Sequence, residues 1–198
     1  MSSLDLALKF INDYAHLGLT PFAKQKTTVF YDLAHTAIVG GCIVELGSYL
    51  GFGTVPLWYG AQDGNQGDVI AVDAYKPMHG WIGEPYGPDN EEQWHTNMRL
   101  SGCSPRLVIG DVHDLSLTWD KWNPPISLLV HDLGSLNRMP QDVMDWERHV
   151  IPGGTIAMRD IDDYRMGTQQ AILNLSNTGR WAFAEKYPAF ITTMRKVE

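Results

Sequence analysis

The run Glu45-Leu46-Gly47-Ser48-Tyr49-Leu50-Gly51-Phe52-Gly53-Thr54 is the part of this chain best suited to hold a ligand. It follows a short apolar run, Cys42-Ile43-Val44, and precedes a stretch able to begin a helix. Glycine serves where backbone turns tightly or approaches a ligand too closely for a side chain. Gly47, Gly51 and Gly53 at a strand-to-helix junction therefore suggest a nucleotide-type cofactor lying against the loop. Downstream, Val69-Ile70-Ala71-Val72 reads as a buried strand, and Asp73 closes it. An acid at the end of the second strand can accept hydrogen bonds from both ribose hydroxyls of such a ligand.

These residues need a frame. Helix is expected over residues 3–17 and 21–37, with Pro21 at a helix start after Thr20. Strands at 43–46, 69–72, 106–109, 126–131 and 155–158 then alternate with helices beginning near Thr54 and around 90–100 and 140–149. Short apolar strands separated by helix-length segments mark a parallel sheet with helices on both faces. A helix around 167–176 leads into two strand-like runs, 181–186 and 189–195, a closing pair expected to include an antiparallel strand. The fold class is therefore α/β: a Rossmann-like, doubly wound, mostly parallel sheet in one domain. A helical extension over residues 1–38 precedes a core over 39–198. The stretch 74–88 has no clear element and carries Tyr75, His79, Trp81 and Tyr86, which suits either a lid or a packed surface loop.

Composition narrows the partners. At 198 residues and 44% hydrophobic content the chain can bury a substantial core. A net charge of -8 with scattered basic residues argues against nucleic acid and for a small acceptor. No apolar run reaches the roughly 20 residues that span a bilayer, and the first residues lack a secretory pattern, so a cytoplasmic protein off the membrane is expected. Cys42 and Cys103 read as buried, reduced thiols. Trp58, Trp94, Trp119 and Trp122 are assigned to packing, and Asp142, Asp145 and Glu147 to a solvated helix face.

The glycine spacing G-x-x-x-G-x-G, with Glu45 two positions before Gly47, differs from the dinucleotide G-x-G-x-x-G. It resembles the first motif of class I S-adenosylmethionine (SAM)-dependent methyltransferases. Val108-Ile109-Gly110-Asp111, Leu128-Leu129-Val130-His131-Asp132 and Pro152-Gly153-Gly154-Thr155-Ile156 are similar to that family's later strand motifs, in order. Tyr86-Gly87-Pro88-Asp89-Asn90-Glu91-Glu92, before a helix with Asn97, places the likeness near the small-molecule O-methyltransferase branch with its sugar, antibiotic and catechol-type members. The resemblance implies SAM as cofactor and a hydroxyl of a small metabolite, a sugar or phenol, as acceptor. It puts Gly47, Gly51 and Gly53 at the methionine end, with Glu45 supporting that loop or the ammonium. It puts Asp73 at the ribose, and Asp111 and Val112 at the adenine.

Catechol-type relatives hold a divalent cation with acids after the fourth and fifth strands, and Asp132 and Asp160 stand at those places. Two hard oxygen ligands suit Mg2+, with Asp162 or Asp163 as substitutes; the bland alternative pairs Asp160 with Arg159 or makes it a helix cap. The sugar-methylating branch often has a histidine three residues after the fourth-strand acid, where this chain has Ser135. Asp132 and His131 are the catalytic candidates, His131 as base, with His79 and His113 as lesser ones. Asn123-Pro124-Pro125-Ile126 looks like a DNA-methylating signature but precedes its strand and reads as a loop. Two other readings stay open: a SAM-binding module without transfer, and a SAM-cleaving enzyme on the same fold. The N-terminal helices are expected to cap the site, to form a homodimer interface, or both.

Overall fold

The apolar segments assemble into one seven-stranded sheet whose strand order reverses at the strand Cys42–Leu46. A computed structural model describes residues 1–14, 20–76, 78–79, 85–121, 123–133, 138–159 and 165–198. In chain order the strands are β1 (Cys42–Leu46), β2 (Val69–Asp73), the two-residue β3 (Met78–His79) and β4 (Pro85–Tyr86), β5 (Arg106–Ile109), β6 (Ile126–His131), β7 (Val150–Arg159), β8 (Trp181–Tyr187) and β9 (Ile191–Lys196). The helices are α1 (Ser3–Tyr14), α2 (Pro21–His35), α3 (Thr54–Asp63), α4 (Pro88–Ser101), α5 (Val112–Ser116), α6 (Met139–Trp146) and α7 (Arg165–Asn177).

The sheet runs β5-β2-β1-β6-β7-β9-β8. Its first five strands are parallel, while β9 runs antiparallel to both β7 and β8. From β1 the chain builds outward to β2 and β5, then crosses back to lay β6 on the other side of β1. The order reverses there, and open α/β sheets bind ligands outside the carboxyl ends of the strands at such a point.

Burial explains why these segments are strands. Every residue of β1, β2 and β6 is buried, as expected for parallel strands covered on both faces. On one face, Phe30 and Leu33 of α2 and Leu57 and Ala61 of α3 pack on Ile43, Leu128 and Val130. On the other, Met139, Val143 and Trp146 of α6 and Leu175 of α7 pack on Val44, Leu46, Leu129 and Ile156. Phe10 and Ile11 join α1 to Val55, Trp94 and Met98. The start of α2 is as read: the Thr20 side chain accepts the Ala23 amide, and Pro21 holds the first turn.

Two expectations are corrected. Asp142 and Glu147 are buried, not solvated, because each finds polar partners brought to it by the fold. Asp142 faces His131, and Glu147 accepts from Arg180 and from Trp181 Nε1 at 2.9 Å. The stretch 74–88 holds an element after all, the antiparallel pair β3–β4; Trp81 within it, like Trp122, lies outside the described residues. Of the other tryptophans, Trp94 and Trp119 are buried and Trp58 packs partly buried against the core.

Trp146 packs against Trp119, ring centroids 4.8 Å apart and planes tilted by 60°, and donates to the Val112 carbonyl at 2.9 Å, wholly buried. Truncation there leaves a cavity and removes one hydrogen bond to the Val112 carbonyl. Trp146→Ala is expected to lose about 3–5 kcal/mol of stability, read from urea unfolding midpoints.

Candidate functional site

At the reversal between β1 and β6, where such sheets carry their ligand crevice, the loop of residues 47–53 lies beside Asp132. The ladder continues past both strands, since Asp132 donates its amide to the Leu46 carbonyl at 2.9 Å. Gly47 adopts φ +90°, and a Cβ there would sit 2.8 Å from Leu133 Cδ2 and 3.0 Å from the Asp132 carbonyl oxygen. Only glycine lets the loop turn this close to β6. Gly53 is required by a different neighbour: a Cβ would collide with Glu45 Oε1. Gly51 lies under Met98 of α4. The glycines thus answer to protein atoms as well as to whatever lies against the loop. No side chain caps the first turn of α3, a helix end that suits an anion.

Asp73 anchors this loop. Its Oδ2 accepts the Ser48 and Tyr49 amides at 2.9 and 3.0 Å, and its Oδ1 accepts the Tyr75 amide at 3.1 Å. The Tyr75 hydroxyl donates to the Tyr49 carbonyl at 2.8 Å and lies 3.1 Å from Ser48 Oγ. Burial, foremost, raises the pKa of that phenol, so it stays a donor. Tyr49 and Tyr75 both hold positive φ, 48° and 44°. Non-glycine residues in that region concentrate at functional sites. From behind, Asn97 of α4 donates to the Leu50 carbonyl at 2.9 Å.

Strand alternation puts Glu45 on the α2–α3 face and His131 on the α6 face. Glu45 is wholly buried; its Oε2 accepts the Thr54 hydroxyl at 2.5 Å, and its Oε1 has no partner among the described residues. Burial pushes its carboxyl up to about 7 against the opposing pull of Thr54 and Lys26. Lys26 of α2 reaches over the sheet, 5.0 Å from the Phe30 ring centroid, and donates to Asp132 Oδ2 at 2.5 Å. Arg159, at the end of β7, donates its Nε to Asp132 Oδ1. Burial and the nearby Arg159 lower the Lys26 ammonium to about 7, and burial lowers Arg159 to about 10.

Asp132 therefore offers both oxygens to cations that belong to the chain. A divalent ion bound to the same carboxylate would face two positive charges at contact distance, so Asp132 as placed does not fit one. Among the described residues no group of three His, Cys, Asp or Glu side chains could hold a metal. Asp160, Asp162, Asp163 and Ser135 lie outside the described residues. His131 is fully buried, its Nε2 3.3 Å from Asp142 Oδ2, and does not share the crevice with Asp132. Asp111 accepts the His113 amide at 3.0 Å and caps α5, whose first residue, Val112, is buried. His113 pairs with Asp145 at 2.7 Å.

Glu45, Gly47, Asp73 and Asp132 lie at the strand ends where the sequence reading puts them, beside residues to which that reading gives no supporting role: Lys26, Arg159, Ser48 and Tyr75. Lys26 left one signal, since it shares a helical face with Phe30 and Leu33, a lone cation on an apolar stripe.

A raised carboxyl makes a pH signature. Folded Glu45 binds its proton up to about 7 while the unfolded group releases it near 4.5, so its contribution is full below 4.5 and is lost as pH rises towards 7. Glu45→Gln escapes that loss. Its stability relative to the parent is expected to rise by about 1–3 kcal/mol across this window and then level off, measured by urea unfolding at stepped pH. A flat difference would refute the assignment.

Comparison with known proteins supplies the family. A family model described as a methyltransferase domain matches residues 44–161. No curated protein matches the chain. Among solved structures, the O-methyltransferase TomG of Streptomyces achromogenes, involved in tomaymycin synthesis and in complex with SAM, is 14% identical. The similarity covers 100% of this chain and 91% of that one, with a TM-score of 0.68. An O-methyltransferase from Bacillus cereus in complex with SAH is 15% identical over 99% of this chain and 90% of its own, with a TM-score of 0.66. An rRNA methylase from Streptococcus thermophilus is 14% identical over 86% and 95%, with a TM-score of 0.63. At these identities the structural likeness is one of fold. The family match over more than half of the sequence carries the rest: the chain belongs to the methyltransferase domain family.

Proposed function

We propose that this methyltransferase moves the methyl group of SAM to a hydroxyl oxygen of a small metabolite, a sugar or a phenol-like compound. The observation that carries the reading is the strand-order reversal at β1–β6, with the Gly47 turn set against Asp132 and the buried Asp73 carboxylate holding the loop. The residues present fit SAM. The uncapped start of α3 suits its methionine carboxylate, and the unpartnered Glu45 Oε1 beneath the loop favours positive charge nearby. SAM and SAH in the two O-methyltransferases of this fold support the same ligand.

When bound, SAM supplies an electrophilic methyl. The chain's own work is then alignment, because an in-line displacement gains most from holding its two partners in register. Gly47, Gly51 and Gly53 shape the floor for the methionine end, and Asp73 sets the ribose position by ordering Ser48 and Tyr49. Asp111 and Val112, at the turn after β5, frame the adenine. Asp132 and Lys26 stand where the acceptor hydroxyl arrives. His131, sealed against Asp142, keeps the end of β6 in place, so proton removal falls to groups that line the crevice.

A net charge of -8 provides no basic track for phosphates and supports a small acceptor over nucleic acid. The helical extension, residues 1–38, caps the site by carrying Lys26, and partly exposed Leu6, Tyr14 and Phe22 leave it a face for a second copy. Among the described residues no helix is long and apolar enough to cross a membrane. Cys42 and Cys103 are buried free thiols, in keeping with a reducing, cytoplasmic setting.

Isothermal titration with SAM, set beside Asp73→Ala, tests the pocket. The parent is expected to bind, and the variant to bind roughly 10–100-fold more weakly, the loss of hydrogen bonds to a charged group. Product analysis separates the rival readings: S-adenosylhomocysteine marks transfer, methylthioadenosine marks cleavage, and SAM binding without either marks a binding module.

A further inference from the structure

Asp132 is the acid that the resemblance would give to a divalent cation, and its surroundings argue for a different occupant. Lys26 Nζ lies 2.5 Å from Oδ2, and Arg159 Nε binds Oδ1. The three side chains are largely withdrawn from water, 16% exposed for Lys26, 5% for Asp132 and 14% for Arg159. They come from separate parts of the chain, α2, the end of β6 and the end of β7, so the cluster is built by the fold and not by local sequence. Screening is weak for partly buried charges, so a further cation would meet the full repulsion of both.

We propose that Lys26 and Arg159 take the place of a divalent cation at Asp132, with Lys26 in the ion's seat, so that the acceptor oxygen meets an ammonium instead of a metal. This rests on the methyltransferase reading for the presence of an acceptor; the exclusion of the ion stands without it. An ammonium carries three donors. With one directed at Asp132, the others can meet an acceptor oxygen, and the charge favours an oxygen that is ionised or becoming so. The cluster thus selects acidic hydroxyls, such as phenols, over simple alcohols. Lys26 is in this sense a specificity residue that the core motifs do not contain.

The test uses Mn2+, an oxygen-seeking divalent ion whose free form is counted directly by electron paramagnetic resonance. Parent protein, Lys26→Met, Lys26→Arg and Asp132→Asn are each titrated with Mn2+ and, separately, with S-adenosylhomocysteine. The parent is expected to bind no Mn2+ below about 1 mM, and Lys26→Met to bind it at least roughly tenfold more tightly, because the repelling charge is gone. Lys26→Arg is expected to exclude the ion as the parent does. Lys26→Gln replaces the methionine variant if that protein does not fold, as judged by S-adenosylhomocysteine binding. Submillimolar binding of one Mn2+ by the parent, removed in Asp132→Asn, would overturn the proposal. So would a Lys26→Met protein that folds and still excludes the ion. Failure of every variant and the parent to bind S-adenosylhomocysteine would instead overturn the cofactor reading, which the Mn2+ result leaves untouched.

Discussion

Three backbone amides converge on the carboxylate of Asp73, and the ligand loop depends on that convergence. A loop that turns at Gly47 and again before α3 has little regular backbone pairing of its own. The Ser48 and Tyr49 amides would stand unsatisfied in a buried place, a costly arrangement. One carboxylate at the end of the neighbouring strand resolves both and draws the Tyr75 amide into the same bond set. The Tyr75 hydroxyl then closes the ring onto the Tyr49 carbonyl. The outcome is a loop held from β2, with two tyrosines kept at positive φ by their surroundings.

The second constraint is electrostatic. Glu45 and Asp132 sit on the α2–α3 side of the strand ends, with Lys26 and Arg159 as the compensating charges. Removing a charge from water is expensive unless partners replace the lost hydration. Glu45 and Lys26 show the strain, the acid pushed up and the amine pulled down, both by burial before anything else. Opposed shifts of this kind gather where a protein handles a ligand. Buried acids on the other face also have partners, Asp142 facing His131 and Glu147 accepting from Arg180 and Trp181.

Packing links the extension to the core. α2 lies against α3 and the sheet through Phe30, Leu33 and Leu57, and this contact aims Lys26 at the crevice. α4 closes the loop from behind through Met98 and Asn97. The fold itself hosts many chemistries, and the acceptor is chosen by what lines the crevice rather than by the sheet.

Much was legible in the linear sequence. Apolar runs of strand length, separated by helix-length segments, announce a parallel sheet because both of its faces must be covered. The bounds of β5 and β6 agree with that reading residue for residue. Gly47 and Asp73 were legible too, since each answers a local need: a turn at a strand end, and an acid where a second strand stops. What the sequence could not show is anything that depends on distant segments meeting. Asp142 and Glu147 look solvated from helical spacing, yet their partners arrive from β6 and from the strands after α7. Asp132 looks free for a metal until Lys26 and Arg159 come to it from residues far away in the chain. Periodicity reports which face of an element is apolar. Only the assembled fold decides which charges share that face and what they leave room for.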